Sequence, residues 1–289
     1  MENPKVCVVM PVYNGESTIE LALKSLVAQS YKNWICVIVN DGSNDNTKEI
    51  LNSLSDPRFR VYNLPNNMGR GYARQFALDH AEGDYLAYLD ADDFYHKDKL
   101  RLQVDVLESD SDICLVATGL LAFGNSYHPI NTRGLFDLKK SKRFVDRGVL
   151  NIVMPSAMIR LKQAKIISYN EKLNAGEDLD YFSRYLDGKY YSNINKVLLF
   201  YYVGPTTYKK MLQYSYNEIL RGFYMLKEKS YWGIKVFLIS IFKYLIYLFT
   251  IPLFGVDFFL KKRGSVPSRQ ELKDFYNQYD LINDEEICK

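Results

Sequence analysis

The stretch Gly83-Asp84-Tyr85-Leu86-Ala87-Tyr88-Leu89-Asp90-Ala91-Asp92-Asp93 reads as a short apolar strand that ends in three carboxylates. Side chains alternate across a strand, so Asp90 and Asp92 are expected on one side and Ala91 on the other. Two carboxylates leaving the C-terminal end of a strand suit a hard divalent cation, which prefers oxygen ligands. In open α/β sheets, ligands gather at that end of the strands. The tripeptide alone is weak evidence, since an Asp-x-Asp arises by chance about once in a chain of this length. The competing reading makes Asp92 or Asp93 the N-cap of a following helix.

Working outward, apolar runs alternate with helical periodicity. Strands are predicted at Lys5 to Met10, Trp34 to Val39, Arg58 to Asn63 and the run ending in Asp90. Helices are predicted over Glu16 to Ala28, Asn46 to Leu54, Gly71 to His80 and His96 to Glu108. That alternation predicts an α/β fold with a mostly parallel, doubly wound sheet. Further strands are expected at Asp112 to Thr118, Met154 to Arg160 and Lys196 to Tyr202, with a short helix at Gly176 to Leu186. Between Gly119 and Gly134 the pattern loosens, and no internal repeat is visible.

A chain of 289 residues has room for one large α/β domain with an appendage. The net charge of +3 gives no case for nucleic acid. Four scattered cysteines, Cys7, Cys36, Cys114 and Cys288, form no metal-ligand spacing and fit a reducing cytosol. The polar N-terminus runs straight into the first strand and does not read as a signal peptide.

The first strand runs into Pro11-Val12-Tyr13-Asn14-Gly15, where a dinucleotide fold would place G-x-G-x-x-G, and no P-loop is present. Phosphates would therefore be held by a cation on Asp90 and Asp92. Tyr13 offers a flat face to a base, or is an ordinary edge aromatic. Asp41, in Val39-Asn40-Asp41-Gly42-Ser43, suits a ribose or a base imide, or else an Asx-type turn. Asp45 caps the helix behind it. Arg74 is placed to reach a base or phosphate, or to make a surface salt bridge. Asn174-Ala175-Gly176-Glu177-Asp178-Leu179-Asp180 sets three acids at a helix start, either for the helix dipole or to supply a general base.

Taken in order, Pro11-Val12-Tyr13-Asn14, Val39-Asn40-Asp41-Gly42-Ser43, Ala73-Arg74, Asp90-Ala91-Asp92-Asp93 and Gly176-Glu177-Asp178 resemble the family 2 glycosyltransferases of GT-A fold over about the first 200 residues. The resemblance implies that Pro11, Tyr13, Asp41 and Arg74 line the nucleotide, with Asp41 on the uracil imide. It implies that Asp90, Ala91 and Asp93 lie along the nucleotide sugar, and that Asp92, with Asp90, binds Mn2+ or Mg2+. Asp178 matches the catalytic base, with Glu177 beside it. The implied reaction is inverting transfer from a nucleotide sugar, UDP first, to a glycan or lipid-linked saccharide in bacterial surface-polysaccharide or lipopolysaccharide synthesis.

Two departures matter. Many relatives carry a Tyr-Arg-x-His type segment after the last strand, whereas Tyr202-Val203-Gly204-Pro205-Thr206-Thr207-Tyr208-Lys209-Lys210 has neither Arg nor His. Thr206, Thr207 and Lys209 are the expected substitutes. The Gln-x-x-Arg-Trp element of processive synthases is missing, which favours single additions.

The catalytic domain is expected over residues 1–205 and a helical extension over 206–289. Within the extension, 231–260 is apolar and aromatic, broken by Lys235, Lys243, Pro252 and Asp257. One or two amphipathic helices lying in a membrane interface are expected, flanked by basic residues that suit the inner face of the plasma membrane. A buried hairpin or a homo-oligomer interface is the competing reading. Ser265 to Lys289 reads as a polar helix with a loose end.

Overall fold

Strands covered on both faces explain the uninterrupted apolar runs of the N-terminal half. The computed structural model describes residues 3–136, 142–143, 152–171, 173, 176–227 and 231–287, so Asn174, Ala175 and Cys288 fall outside the described residues. The strands are β1 (Val6–Val12), β2 (Trp34–Asn40), β3 (Phe59–Asn63), β4 (Tyr85–Tyr88), β5 (Phe94–Tyr95), β6 (Ile113–Gly124), β7 (His128–Arg133), β8 (Lys142–Arg143), β9 (Met158–Arg160) and β10 (Tyr190–Tyr202). Among the described residues they form one ten-stranded sheet of order β3-β2-β1-β4-β9-β6-β10-β5, with β7 on β6 and β8 on β10. The β3-β2-β1-β4 half is parallel throughout. β9 then runs antiparallel to both β4 and β6, and β10 returns parallel to β6. This is the expected mixed, mostly parallel GT-A-like sheet.

The pleat sorts the core into two layers. Val6, Val8 and Met10 pack with α1 (Ile19–Val27) and α4 (Lys99–Ser109), through Leu23, Leu26, Leu100 and Val104. Cys7 and Val9 point the other way, toward Ala73 and Ala77 of α3 (Arg70–Asp79) and Tyr181 and Phe182 of α6 (Glu177–Tyr185). Two short helices, α2 (Thr47–Asn52) and α5 (Leu161–Ala164), complete the crossovers. Three expected elements shift. The apolar run before Arg160 begins as a 3-10 turn at Met154–Ser156, and β6 and β10 are longer than their apolar patterns, at 12 and 13 residues.

The strand bearing the acidic motif stops sooner than its apolar run suggests. Leu89 still donates to Val9 O at 3.1 Å, but the chain then turns, with Asp93 N donating to Asp90 O at 3.0 Å. Asp90 and Asp92 are thus placed by a turn, not by strand alternation. The separation survives because Leu89 and Ala91 are buried while Asp92 is exposed.

Beyond β10 the chain makes α7 (Tyr208–Lys227), α8 (Tyr231–Phe254), α9 (Val256–Lys261) and α10 (Arg269–Asn283). α7 and α8 form a hairpin that crosses closely at glycines: a Cβ on Gly222 would sit 2.7 Å from the Phe237 backbone, and one on Gly233 would sit 2.7 Å from Leu226 N. The expected interruptions do not break α8. Lys243 pairs with Glu218 of α7 at 2.9 Å, and the Leu248 carbonyl that Pro252 leaves without its helical partner accepts from the Tyr208 hydroxyl at 3.0 Å. α8 is one continuous helix, and Gly233–Phe254 is long and apolar enough to cross a membrane, with a mean hydropathy of 2.0.

The expected polar helix near the end of the chain is present as α10. α10 opens with a capping box, Ser268 accepting from Glu271 N and Glu271 accepting from Ser268 N. It docks on the sheet through Phe275 and Ile282, both fully buried with Phe94, Phe123 and Phe200. Burying a phenylalanine side chain contributes about 1.5–3 kcal/mol. Polar ties at Lys97 N to Gln278 Oε1 (3.2 Å) and Lys24 Nζ to Asn283 O (3.1 Å) fix its position. Its period was legible in the sequence; its partners, more than 70 residues away along the chain, were not.

Candidate active site

The C-terminal ends of β1 and β2 are stitched together by side chains. Asn14 adopts φ 54°, a left-handed conformation that asparagine tolerates. Its amide donates to Ser43 Oγ and its Oδ1 accepts from Asn44 N, both at 2.9 Å. Gly15 N donates to Thr47 Oγ1 at 2.8 Å, and Glu16 and Asp45 each accept a backbone N–H across the same gap. Asp45 Oδ1 also accepts from Thr47 N at 3.1 Å, as its expected place at the start of α2 requires. Pro11 is held in register opposite Val39, and Tyr13 stands exposed at the rim.

Asp41 is buried, and the turn expected around it belongs to its neighbour: Asn40 Oδ1 accepts from Ser43 N at 3.1 Å. The Asp41 carboxylate instead reaches the loop before α3, accepting from Met68 N at 2.7 Å and Gly69 N at 3.0 Å. Gly42 lets that loop approach; a Cβ there would lie 2.4 Å from the Asn66 carbonyl carbon, and its φ is +67°. Asp41 therefore holds the loop before α3 through both carboxylate oxygens, and each oxygen keeps a second lone pair.

Arg74 is not on the surface. It is buried between the two acidic motifs, donating through Nη1 to Glu177 Oε1 and through Nη2 to Asp90 Oδ1 at 3.2 Å. Burial works against its charge, but Asp90 and Glu177 outweigh it and hold the guanidinium above its ordinary value. Burial pushes Glu177 up, and Arg74 pulls against it. The three acids at the start of α6 thus separate. Glu177 is tied to Arg74, and Asp180 pairs with Arg184 at 2.6 Å. Asp178, half-buried, makes no ion pair among the described residues; its Oδ1 accepts from Leu179 N at 2.8 Å. It lines a cavity of about 530 Å3.

Asp92 is the exposed carboxylate of the turn. Desolvation at its base and the neighbouring Asp90 charge push it up to about 6, opposed by Arg70 and Lys210. Asp93 is buried, with Oδ1 accepting from Tyr202 N at 2.8 Å and Oδ2 unpartnered. Burial, then Asp92 and Asp90, drive it well up, and its hydrogen bond ties the end of β10 to the turn. Among the described residues no group of three side chains makes a metal cage. Asp92 and the free oxygen of Asp90 fit a cation that takes one or two carboxylates and completes its shell with phosphate oxygens and water.

Of the expected substitutes for the missing basic segment, Thr206 donates to Gly204 O and Thr207 accepts from Lys210 N at the start of α7. Lys210, rather than Lys209, is the cation whose field reaches Asp92, together with Arg70. Arg70 was missed in the sequence; its signal was its place as the first residue of α3, after Gly69 at φ 91°. A second recess of about 320 Å3 opens beside Asp92 between Thr18, Asn125, Tyr127 and Tyr202.

Comparison with known proteins follows this geometry. The chain is 35% identical over 107 residues to the Escherichia coli UDP-Glc:alpha-D-GlcNAc-diphosphoundecaprenol beta-1,3-glucosyltransferase, covering 37% of this chain and 42% of that enzyme. The covered share is 44% and 29% for two other curated relatives, so the chain spans less than half of their length. Among solved structures, S. aureus TarS 1-349 in complex with UDP-GlcNAc superimposes with a TM-score of 0.62 at 21% identity, over 95% of this chain and 79% of that one. The Pyrobaculum calidifontis mannosyltransferase in complex with GDP-Man and Mn2+ gives 0.58 at 15% identity, over 98% and 86%. At these identities the likeness is one of fold. The model of glycosyl transferase family 2 matches residues 7–165, more than half of the chain and every element from β1 to the acidic turn, and the chain belongs to that family.

Proposed function

We propose that the protein is an inverting transferase that moves a sugar from a nucleotide sugar, UDP-linked first, to a hydroxyl of a glycan or lipid-linked saccharide in surface-polysaccharide synthesis. The observation that carries this reading is Arg74, which joins the Asp90 turn to the Glu177-Asp178 helix start in one buried ion-pair network. A diphosphate site and a base on separate elements are of use only when held in fixed relation.

Tyr13 stacks on the base at the rim, and the buried Asp41 accepts a hydrogen bond from it. Asp92, with Asp90, holds a Mn2+ or Mg2+ ion, which when bound offsets the charge growing on the departing diphosphate. Arg70 and Lys210 supply fixed positive charge to the same oxygens. Asp178 accepts the proton of the acceptor hydroxyl as that oxygen bonds to the anomeric carbon from the face opposite the diphosphate. The bond from that carbon to the diphosphate oxygen breaks, its electron pair leaves with the nucleoside diphosphate, and the configuration inverts. The E. coli relative and the UDP-GlcNAc complex named above support UDP as the first donor to try.

The exposed apolar face of α8 supports a place at the inner surface of the plasma membrane, where a lipid-linked acceptor resides. The test is transfer of label from UDP-glucose and UDP-GlcNAc into a membrane lipid extract, with the anomeric configuration of the product read by NMR. Label transferred with inversion by the native chain, and lost in Asp178→Asn with donor binding kept, is the expected result. Donor binding without transfer to any acceptor would make the chain a nucleotide-sugar-binding or scaffold protein instead.

A further inference from the structure

The cavity that Asp178 lines has a basic opposite wall. Arg133, at the end of β7, and Arg263, two residues after α9, both face it, and Asp178 is the sole carboxylate among its described lining residues. The wall is built rather than incidental. Thr132 and Ser265 exchange backbone hydrogen bonds of 2.9 Å, and Asn131 Nδ2 donates to Leu260 O at 2.8 Å. Gly264 permits the close pass, since a Cβ there would lie 2.2 Å from Thr132 O and 2.9 Å from Arg133 Cγ.

Arg133 is oriented by its Nε, which donates to Asn131 Oδ1 at 2.8 Å. Its two terminal nitrogens carry no hydrogen bond among the described residues, and neither arginine makes an ion pair among them. Burial and the neighbouring Arg263 charge push the Arg133 guanidinium down, the expected effect of two like charges brought together without a counter-ion. Both guanidiniums meet the cavity across from Asp178, and an anion bound between them would offset the burial and the like charge that act on Arg133. Guanidinium forks match phosphate oxygens two at a time.

We propose that Arg133 and Arg263 form an acceptor subsite for a phosphate or diphosphate group, so that the acceptor's hydroxyl is presented to Asp178 by an anion bound across the cavity. This deepens the transferase reading and rests on it. The phosphate has two possible carriers, a lipid-linked diphosphate saccharide or a soluble phosphodiester polymer. Arg263 follows directly on the α8–α9 segment, whose apolar residues are exposed, and this favours a lipid-borne group.

The test is calorimetric titration of inorganic pyrophosphate into the full chain in EDTA, which removes any cation from the Asp92 site. Native protein should bind, Arg263→Ala should weaken binding by about tenfold or more, and Arg133→Lys should weaken it less than Arg133→Ala. Arg263 is exposed, so its removal does not threaten folding. In transfer assays Arg263→Ala should raise KM for a short-chain prenyl-diphosphate saccharide while leaving donor KM unchanged and a neutral oligosaccharide acceptor unaffected. The same rise with a polyol-phosphate oligomer, and not with the prenyl diphosphate, would keep the subsite and assign the soluble carrier. Pyrophosphate binding that is absent, or indifferent to both arginines, overturns the subsite while nucleotide binding still stands. Loss of pyrophosphate binding in the arginine variants of a chain that binds no nucleotide sugar would keep the subsite and overturn the transferase reading.

Discussion

The guanidinium of Arg74 donates to Glu177, 103 residues further along the chain, and to Asp90 at 3.2 Å. The strand-end turn and the start of α6 are therefore one electrostatic unit. Removing one partner of a buried pair leaves an uncompensated charge, at a cost of about 3–5 kcal/mol. Arg74→Ala is expected to lower the unfolding free energy obtained from urea titration by that amount. Arg74→Lys, which reaches one acid at a time, should recover part of the stability but little of the transfer rate. Equal stability of Arg74→Ala and the native chain would dissolve the unit.

Asp92 is held against its own preference. Desolvation and Asp90 raise its carboxyl from an ordinary 3.8 to about 6, so the folded chain binds more protons than the unfolded one between those values. Stability contributed by this group therefore falls as pH rises through that window. Asp92→Asn should raise the melting temperature at pH 8 in EDTA while abolishing the stabilisation that Mn2+ with UDP gives the native chain. A variant less stable than native in EDTA would show that the carboxylate serves the fold.

His96 works with the opposite sign. It follows β5, its Nδ1 accepts from Asp98 N at 3.1 Å, and burial, then Lys196, lower it from 6.5 to about 4. The unfolded chain binds the extra proton between those values, so stability is full above about pH 6.5 and is lost as pH falls toward 4. A shift of that size is worth about 3 kcal/mol. Asn, whose side-chain oxygen can replace Nδ1 as acceptor, removes the titration. The stability of the native chain relative to His96→Asn should be constant above about pH 6.5 and fall as pH drops from 6.5 to 4, because only the native chain titrates there; a difference that stays constant across that window would refute the assignment.

The outer face of α8 carries Leu238, Phe242, Phe249 and Leu253, exposed by 59%, 67%, 68% and 77%. Lys209, Lys210, Lys261 and Lys262 flank the hairpin. Together they suit an anionic bilayer surface. In flotation assays the chain should rise with vesicles containing phosphatidylglycerol, less with phosphatidylcholine alone, and not at all after Phe242→Ser with Phe249→Ser. A dimer that persists without vesicles and is abolished by the same pair would assign this face to self-association.

The parallel half of the sheet was legible because its buried strands are short, apolar and punctuated by Pro11, Gly42 and the acids after Leu89. The motif residues were legible too, yet their partners were not. Nothing local says that Arg74 points inward, that Asp41 takes two amides of the next loop, or that Asp93 turns to Tyr202. Those facts come from the sheet order, which brings distant strand ends together. The antiparallel insertion of β9 between β4 and β6 was likewise hidden, since a three-residue strand carries no direction in its sequence. Lys243 misled for a related reason: read alone it is a charge in an apolar run, and only packing against α7 supplies Glu218.

The most direct measurement is calorimetric binding of UDP, GDP, CDP and TDP, each with Mn2+ and with chelator, to the native chain, Asp92→Asn and Asp41→Ala. The expected result is UDP binding that needs Mn2+, weakens in Asp41→Ala and disappears in Asp92→Asn. Tight binding of a different nucleoside diphosphate would overturn the uracil assignment of Asp41, and no metal-dependent binding of any of the four would contradict the nucleotide-sugar site itself.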